Sequence, residues 1–338
     1  MAKLGEVCLL KAGKFVSAND ISPEYNKGLY PCFGGNGIRG YVADYTHDGE
    51  FPLIGRQGAL CGNVNLASGK FHATEHAVVV QPKAEMNVHW LYYALNAMNL
   101  GQYATGAAQP GLAVSKLETL SIEIPNISEQ NKIAQTLYKV EQLVNFRKQQ
   151  LAKLDELVKA RFVEMFGNKD YPRMKWNDVF NTTTGKLDSN AAVANGKYPF
   201  FTCSKEPLKI DSYAFDQTAL LLAGNNAAGK YDVKYYQGKF NAYQRTYVLS
   251  LKHNWSYKLF QYQLEDKLLY LQTKSLGGLT KYLTLKILGE LDFIVPPLAL
   301  QNEFAAFVEH VDEQKQTVQQ SLDKLELMKK ALMQEYFG

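Results

Sequence analysis

The chain has 338 residues and a formal net charge of +4, so it is long enough for two domains, and its charge alone does not indicate a nucleic-acid partner. Its four cysteines form no CxxC pair, which argues against a zinc site or a disulfide framework and fits a reducing cytoplasm. We expect no signal peptide and no membrane span, since no apolar run reaches membrane length, and therefore a soluble cytoplasmic protein.

Residues 1–124 predict a mixed α+β domain. Strand-like runs at Tyr30–Phe33, Phe51–Gly55 and Ala77–Gln81 are separated by glycine-rich turns, and a helix-like run follows at about Val88–Leu100. Basic and acidic residues nearly balance here, 9 against 10, so this domain carries no basic excess.

Residues 125–167 predict one long helix. Positions spaced alternately by four and three residues are mostly apolar over more than four heptads, which indicates the seam of a coiled coil. The seam consists of Ile133, Leu137, Val140, Val144, Arg147, Leu151, Leu154, Val158, Arg161 and Met165. Pro125 precedes the helix, Ser128 is the expected N-cap, and Gly167 is expected to end it in a left-handed conformation.

Residues 168–295 repeat the plan of the first domain with different residues. The motifs that the two segments share pair at offsets of 168 to 172: Gly13-Lys14 with Gly185-Lys186, Tyr30-Pro31 with Tyr198-Pro199, and Gly69-Lys70-Phe71 with Gly238-Lys239-Phe240. This segment holds 17 basic and 11 acidic residues, so the basic excess of the chain lies mainly here.

Residues 296–338 repeat the first helix without a gap, and 14 of the 43 aligned pairs are identical. The second seam consists of Phe304, Val308, Val311, Lys315, Val318, Leu322, Leu325, Lys329, Leu332 and Tyr336, with Gly338 in the place of Gly167. The basic seam residues either extend out of the seam on their aliphatic stems or fix register and partner choice. We expect the two helices to pair as an antiparallel coiled coil, which makes the chain an internal pseudo-twofold repeat.

Two glycine-rich motifs resemble nucleotide-binding loops. Gly224–Lys230 (GNNAAGK) fits most of a phosphate-binding P-loop, but Tyr231 replaces the Mg²⁺-binding Ser or Thr, and residues 232–237 look like a strand where the loop needs a helix. Phe33–Gly37 mimics the cofactor loop of methyltransferases, yet strand-like residues follow it and the chain has no NPPY or DPPY tetrapeptide. We therefore expect ordinary turns at both places.

A third motif, His72, Glu75 and His76, could be a metal or acid–base cluster. No further ligand of suitable type and spacing accompanies it, and its counterparts in the second domain are Asn241, Gln244 and Arg245. Only one of the two sets could bind a metal, whereas both could donate or accept hydrogen bonds. We expect polar surface or base contacts here, with a structural pair as the alternative.

Two divergent domains that alternate with two similar long helices resemble the specificity subunit of Type I restriction–modification systems, and the resemblance covers the full length. Gly34–Tyr41, Pro52–Val64 and Ala73–Val78 look like one class of that family's target-recognition domains. The Pro-x₄-Gln-Asn openings at Pro125 and Pro296 look like the start of its spacer helices.

The resemblance implies a DNA reader without catalysis, cofactor or metal of its own. Target-recognition domains at residues 1–124 and 168–295 would each read one half of a bipartite site in double-stranded DNA. Spacer helices at 125–167 and 296–338 would set the distance between the halves and dock two modification (methyltransferase) subunits. Restriction (translocase and nuclease) subunits would complete the assembly.

Candidate DNA contacts follow from side-chain chemistry and position near glycine-rich turns, since Arg pairs well with guanine and Asn or Gln with adenine in the major groove. In the first domain they are Arg39, Arg56, Gln57, Asn63 and His72. In the second they are Asn225, Asn226, Lys230, Tyr243 and Arg245, with Lys205 and Lys234 assigned to phosphates.

Two other functions remain open from the sequence. One is a coiled-coil interaction adaptor with two ligand-binding heads and no DNA role, and the other is an NTPase that uses Gly224–Lys230. DNA binding that weakens steeply with salt would separate the DNA reader from the adaptor, and ATP hydrolysis would indicate the NTPase.

Overall fold

The structure, a computed structural model, describes residues 1–106, 110–167, 169–227 and 229–338. It contains two compact units, named here unit 1 (Met1–Gln149 with Gln319–Gly338) and unit 2 (Gln150–Val318). Each unit holds one globular segment and about half of each long helix. None of the described helices is both long enough and apolar enough to cross a membrane.

Unit 1 contains the elements of the first globular segment. Its strands are β1 (Ala2–Lys3), β2 (Cys8–Ala12), β3 (Tyr30–Gly34), β4 (Gly37–Val42), β5 (His47–Gly55), β6 (Val64–Ala73), β7 (Ala77–Pro82) and β8 (Ser121–Ile122). Its helices are α1 (Leu4–Val7), α2 (Val88–Ala97) and α3 (Val114–Glu118), and the long α4 (Ile127–Phe166) begins here. The strand-like and helix-like runs expected from the sequence are thus confirmed as β3, β5, β7 and α2.

Six of these strands form one sheet in the order β2-β7-β5-β6-β3-β4. All pairs are antiparallel except β3 with β6, where Cys32 lies beside His72. Because successive residues of a strand point to opposite faces, Ile54 packs with α2 on one face while Leu53 packs with Phe71 on the other. Both faces of the sheet therefore carry buried apolar side chains.

The larger core of unit 1 lies between the sheet, α2 and the long helices. Trp90 of α2 is 1% exposed and packs with Ile133 and Leu137 of α4 and with the C-terminal residues Tyr336 and Phe337. Strands β1 and β8 pair just before α4 starts, which closes the globular segment where the chain leaves it.

Unit 2 has the corresponding elements and a few more. Its strands are β9 (Arg173–Lys175), β10 (Phe180–Thr184), β11 (Tyr198–Phe201), β12 (Leu208–Ile210), β13 (Phe215–Ala223), β14 (Asn225–Asn226), β15 (Val233–Ala242), β16 (Thr246–Leu251), β17 (Lys281–Tyr282) and β18 (Asp292–Ile294). Its helices are α5 (Trp176–Val179), α6 (Tyr257–Asp266), α7 (Leu268–Lys274), α8 (Leu285–Gly289) and the long α9 (Leu298–Phe337).

The sheet of unit 2 repeats that of unit 1 strand for strand. Its order is β10-β16-β13-β15-β11-β12, with the same single parallel pair, β11 beside β15. Strands β9 and β18 pair as β1 and β8 do. In unit 2, α7 stands where unit 1 has the short 3-10 helix Leu100–Tyr103, and the β14–β17 pair stands where unit 1 has the isolated bridge between Gln57 and Gly111. The internal repeat predicted from the sequence is therefore confirmed at the level of topology.

Within each unit the two long helices pack antiparallel along the expected seam. Every seam position is buried or half-buried, from Ile133 and Leu137 in unit 1 to Phe304 and Val311 in unit 2. The ion pairs between the helices show the antiparallel direction, because later residues of α4 pair with earlier residues of α9. The pairs are Glu141–Lys329 and Lys148–Glu326 in unit 1, and Asp155–Lys315 and Arg161–Glu303 in unit 2.

The four basic seam residues are half-buried and bonded across the seam. Lys329 and Lys315 reach carboxylates of the facing helix at 2.7 Å and 2.5 Å, and Arg161 reaches Glu303 at 2.7 Å. Arg147 Nε donates to Ser321 Oγ at 3.2 Å. These contacts favour the register-fixing role over simple extension into solvent, because each one is made only when the two helices are correctly aligned.

Two details at the helix ends differ from expectation. Asn126, not Ser128, is the N-cap of α4, since its side-chain oxygen accepts the Glu129 backbone N–H at 3.0 Å while Ser128 lies inside the helix. Neither Gly167 nor Gly338 has a positive φ, so the expected left-handed cap was wrong. The Gly167 N–H instead bonds the Val163 carbonyl at 2.7 Å and extends the helical turn.

Candidate nucleic-acid interface

Three loops of unit 1 converge and are named here loop cluster 1: residues 34–36 after β3, 56–63 after β5 and 74–76 after β6. Hydrogen bonds join them from Arg56 N to the His76 carbonyl (3.0 Å), from Thr74 N to the Phe33 carbonyl (2.9 Å) and from Asn63 Nδ2 to Asn36 Oδ1 (2.7 Å). Loops that are far apart in the sequence thus form one continuous surface.

Unit 2 has the same arrangement, named here loop cluster 2: residues 202–204 after β11, 224–232 after β13 and 243–245 after β15. The joining hydrogen bonds run from Tyr243 N to the Phe201 carbonyl (2.9 Å), from Gly224 N to the Arg245 carbonyl (2.8 Å) and from Cys203 Sγ to Asn225 Oδ1 (2.8 Å). Residue 228 of this cluster lies outside the described residues.

A glycine makes the close approach possible in each cluster. A Cβ on Gly55 would lie 1.9 Å from the carbonyl oxygen of Gly35, and one on Gly224 would lie 2.4 Å from that of Arg245. Any other residue would push these loops apart, because such distances are far inside van der Waals contact. The glycine at the end of β5 and the glycine that follows β13 therefore each have a structural explanation.

The first-domain candidates divide into three groups. Arg56, Gln57 and Asn63 come together in loop cluster 1, with Gln57 and Asn63 exposed and Arg56 half-buried. Arg39 is exposed on β4, and its Cβ faces the position where a Cβ of Gly34 would stand, 3.8 Å away. His72 differs, because it lies inside β6, is 8% exposed and contacts the Lys14 carbonyl through Nε2 at 3.2 Å.

In the second domain Asn225, Asn226 and Tyr243 line one cleft of about 330 Å³ beside Cys203 and Ser204. Arg245 is exposed in the same loop cluster, and its guanidinium makes no hydrogen bond or ion pair with the described residues. Lys205 and Lys230 are exposed as well. Lys234 lies on β15 and pairs with Asp232, so its charge is already partly compensated.

The charges of the two first-domain arginines have no acidic partner within hydrogen-bonding distance among the described residues. Buried Nε of Arg56 has no hydrogen-bond partner there either. Burial raises the pKa of the thiols of Cys32 and Cys61, with the nearby charges of Arg39 and Arg56 opposing the shift. These neighbouring thiols are therefore neutral at pH 7 and form no ion pair with the two arginines.

The catalytic-looking motifs take non-catalytic forms. Gly224–Lys230 leads into strand β15, and its described part includes Asn225 and Asn226, paired with β17. Phe33–Gly37 is the β3–β4 turn, in which Gly37 has φ +92°. The His76 ring pairs with the neighbouring Glu75 carboxylate at 3.1 Å, and no group of three potential metal ligands occurs in the part of the chain that the structure describes.

A buried glutamine at the start of each long helix was not recognised as structural from the sequence. Gln130 accepts the Asn87 N–H at 2.9 Å and donates to the Pro125 carbonyl at 2.9 Å. Gln301 makes the same two bonds, with Ser256 N at 3.0 Å and the Pro296 carbonyl at 2.8 Å. The two glutamines are 3% and 1% exposed. The identical Pro-x₄-Gln spacing in both copies could have indicated this role from the sequence. Through it each glutamine joins its long helix to the N-cap residue of α2 or α6.

We expect Gln301→Leu to destabilise the protein by about 1–3 kcal/mol, because the Ser256 N–H and Pro296 carbonyl would be left buried without partners. Urea unfolding followed by circular dichroism measures the loss. Asn302→Ala is the matched control, since Asn302 is the exposed neighbour in the same helical turn. Equal midpoints for the two variants would contradict a structural role for the glutamine.

Comparison with known proteins places this architecture. The family model described as "Type I restriction modification DNA specificity domain" matches residues 1–156 and again 168–327. The EcoprrI Type I restriction enzyme specificity subunit of Escherichia coli is 53% identical over 143 residues, which are 42% of this chain. The match spans only 36% of that curated relative's length.

Two solved structures share the fold over nearly the whole chain. The Type I restriction–modification S subunit from M. genitalium has a TM-score of 0.73 at 18% identity and covers 99% of this chain and 95% of its own. A structure from a study of complex assembly and conformational transition of the type I R-M system has a TM-score of 0.51 at 14% identity, covering 99% and 96%. Since the family model matches both halves and most of the residues, this chain belongs to the Type I restriction modification DNA specificity domain family.

Proposed function

We propose that the chain is the non-catalytic specificity subunit of a Type I restriction–modification enzyme and reads double-stranded DNA. Residues 1–124 act as one target-recognition domain and residues 168–295 as the other, each for one half of a bipartite site. The observation that carries this proposal is the pair of loop clusters. They are built identically from β3, β5 and β6 or from β11, β13 and β15, yet present different side chains.

The proposed base contacts come from side chains that are exposed or half-buried in the loop clusters. Arg56, Gln57 and Asn63 would read one half-site, with Arg39 beside them, and Arg245 would read the other. In the second domain, Asn225 and Asn226 have the side-chain amides that suit adenine, and Tyr243 lies next to them. Lys230 is exposed and would lie near the same bases, and Lys205 suits a phosphate. His72 and Lys234 would first have to release their present contacts.

The spacer segments 125–167 and 296–338 would set the distance between the half-sites and dock two modification subunits, with restriction subunits completing the assembly. The antiparallel seam supports a spacer, because its cross-helix ion pairs hold one register. The methyltransferase and nuclease chemistry would belong to those partners, and the chain needs no cofactor of its own. The cytoplasm, where the DNA of a bacterium lies, is the proposed location.

Replacement of residues 1–124 by the first domain of another family member tests the proposal. The chimera is assembled with its modification subunits, and the methylated adenines of a plasmid library are sequenced. We expect one half of the target to change while the other half and the spacing stay the same. If both halves change, or if the complex methylates no defined sequence, the assignment of one half-site to each domain is wrong.

A further inference from the structure

Unit 1 carries a tyrosine–lysine group at its surface, defined here as Tyr30, Tyr45 and Lys70. Lys70 Nζ lies 4.6 Å from the centroid of the Tyr45 ring, in the geometry of a cation–π contact. The Tyr45 ring in turn packs edge-on against Tyr30, with the centroids 5.0 Å apart. Tyr45 is 43% exposed and Lys70 is exposed as well.

Unit 2 carries the same group, made of Tyr198, Tyr213 and Lys239. Lys239 Nζ lies 4.8 Å from the Tyr213 centroid, and the two tyrosine rings are 5.1 Å apart at 63°. Tyr213 is 45% exposed. The fold places the groups equivalently, because the central tyrosine stands two residues before β5 or β13 and the lysine stands on β6 or β15.

The shared Gly-Lys-Phe motif explains two of its three residues structurally but not the lysine. Gly69 and Gly238 have φ of +74° and +124°, a region that other residues avoid. Phe71 and Phe240 are 0% exposed and belong to the core behind the sheet. The lysine is exposed in both copies, so besides its contact with the tyrosine ring its ammonium group is accessible to a ligand outside the chain.

The two lysines are positively charged and exposed to solvent. Neither forms an ion pair with the described residues, although Asp48 and Asp216 face them across the strand pairs. A side-chain hydrogen bond to Tyr45 raises the pKa of Lys70, so its ammonium stays protonated at neutral pH. A charged ammonium beside a tyrosine hydroxyl offers several hydrogen-bond donors to an anion such as a phosphate.

The tyrosine–lysine groups differ from the loop clusters in a way that indicates which part of DNA they contact. The loop clusters differ between the units, as readers of different bases must, whereas the tyrosine–lysine groups are the same. The sugar–phosphate backbone is the part of DNA that both half-sites share. Tyr30 and Gly34 stand at opposite ends of β3, about 13 Å apart at the usual rise per residue. This separation is close to the roughly 12 Å width of the major groove.

We propose that the two tyrosine–lysine groups are matching phosphate-binding sites, one in each recognition domain, that grip the DNA backbone while the loop clusters read the bases. The inference rests on the proposed DNA-reading function and adds residues to it. Contacts of this kind position a protein on the duplex without selecting a sequence. They also release counterions, so they appear in the salt dependence of binding.

Lys70→Gln and Lys239→Gln, made singly and together in the full chain assembled with its modification subunits, test the proposal. DNA affinity is measured from 50 to 200 mM salt on a methylation target and on a duplex with both halves scrambled. DNA binding weakens as salt rises, so log K falls with log salt. Each substitution should make this negative slope shallower by about 0.9, and the pair by about 1.8. At 50 mM salt each substitution should weaken binding to the target and to the scrambled duplex by the same factor and leave the methylated sequence unchanged. Lys70→Arg and Lys239→Arg, which keep the positive charge, should show the wild-type slope.

Lys116→Gln is the matched control, because Lys116 also lies over a tyrosine ring, that of Tyr103, but has no counterpart in the second domain. Thermal unfolding of every variant accounts for lost stability. If the Lys70 and Lys239 variants show the same salt slope as the wild type and the control, the phosphate-site inference is wrong. The proposed function is then unaffected, as long as the wild-type complex binds its target. Unchanged slopes with weaker capture of the modification subunits would mean that the groups meet a protein, which also overturns it. Absence of DNA binding by the wild-type complex would instead refute the proposed function.

Discussion

Inserting four residues between Gln149 and Gln150 and four between Val318 and Gln319 is expected to lengthen the target by one or two base pairs without changing either half-site. Four helical residues add about 6 Å, and a base pair rises about 3.4 Å. Both insertions fall at the boundary between the compact units, so the contacts inside each unit are kept. Four residues are also close to one helical turn, so the seam continues on nearly the same face.

The measurement is methylation of a plasmid library with variable spacers, followed by sequencing of the modified adenines. Paired insertions of two residues at the same positions are the control, since they rotate the seam by about 200°. We expect that control to keep the cross-seam pairs within each unit but to interrupt the continuity of the seam at the unit boundary, and with it assembly with the modification subunits. An active four-residue variant with an unchanged spacing would mean that the globular domains, not the helices, set the distance.

Arg245→Ala is expected to relax recognition at one position in only one half of the target. The side chain is exposed in loop cluster 2 and makes no ion pair with the described residues, so its removal leaves the fold intact. A bidentate contact from arginine to guanine is worth about 1–3 kcal/mol of discrimination, or about 5- to 150-fold. Sequencing of methylated sites should show one degenerate position in that half-site and none in the other.

The matched control for this experiment is Arg173→Ala. Arg173 is an exposed arginine of the same domain, but it lies on β9, which pairs with β18 away from the loop cluster. Removal of its charge should affect affinity little and leave every target position specified. Loss of one base preference in both variants, or in neither, would show that loop cluster 2 does not read bases through Arg245.

The long helices could be predicted from the sequence almost completely. A heptad pattern is local, so the seam from Ile133 to Met165 and its copy from Phe304 to Tyr336 follow from spacing alone. The gap-free repeat also implied two equivalent globular segments. The end of the helix was harder to predict, since the N-cap depends on which side chain, Asn126 or Ser128, reaches the first turn.

Membership of the candidate site was only partly predictable. Arg56, Gln57 and Asn63 stand beside glycines in the sequence and do come together, but His72 proved to be buried in β6. Exposure of a strand residue depends on which face the neighbouring strands cover, and the sequence does not state strand order. The contact between Lys70 and Tyr45 was missed for the same reason, since it joins residues 25 positions apart.

The sequence by itself determined the alternation of globular segments and long helices, the seam along those helices and the side-chain chemistry available for DNA. These features depend on periodicity and on internal repetition, which are properties of the chain read locally. Only the tertiary structure decided the strand order, the convergence of three distant loops into each cluster and the partner of each basic seam residue. Those features depend on which segments pair across long separations, and that choice is made by burying both faces of each sheet at once.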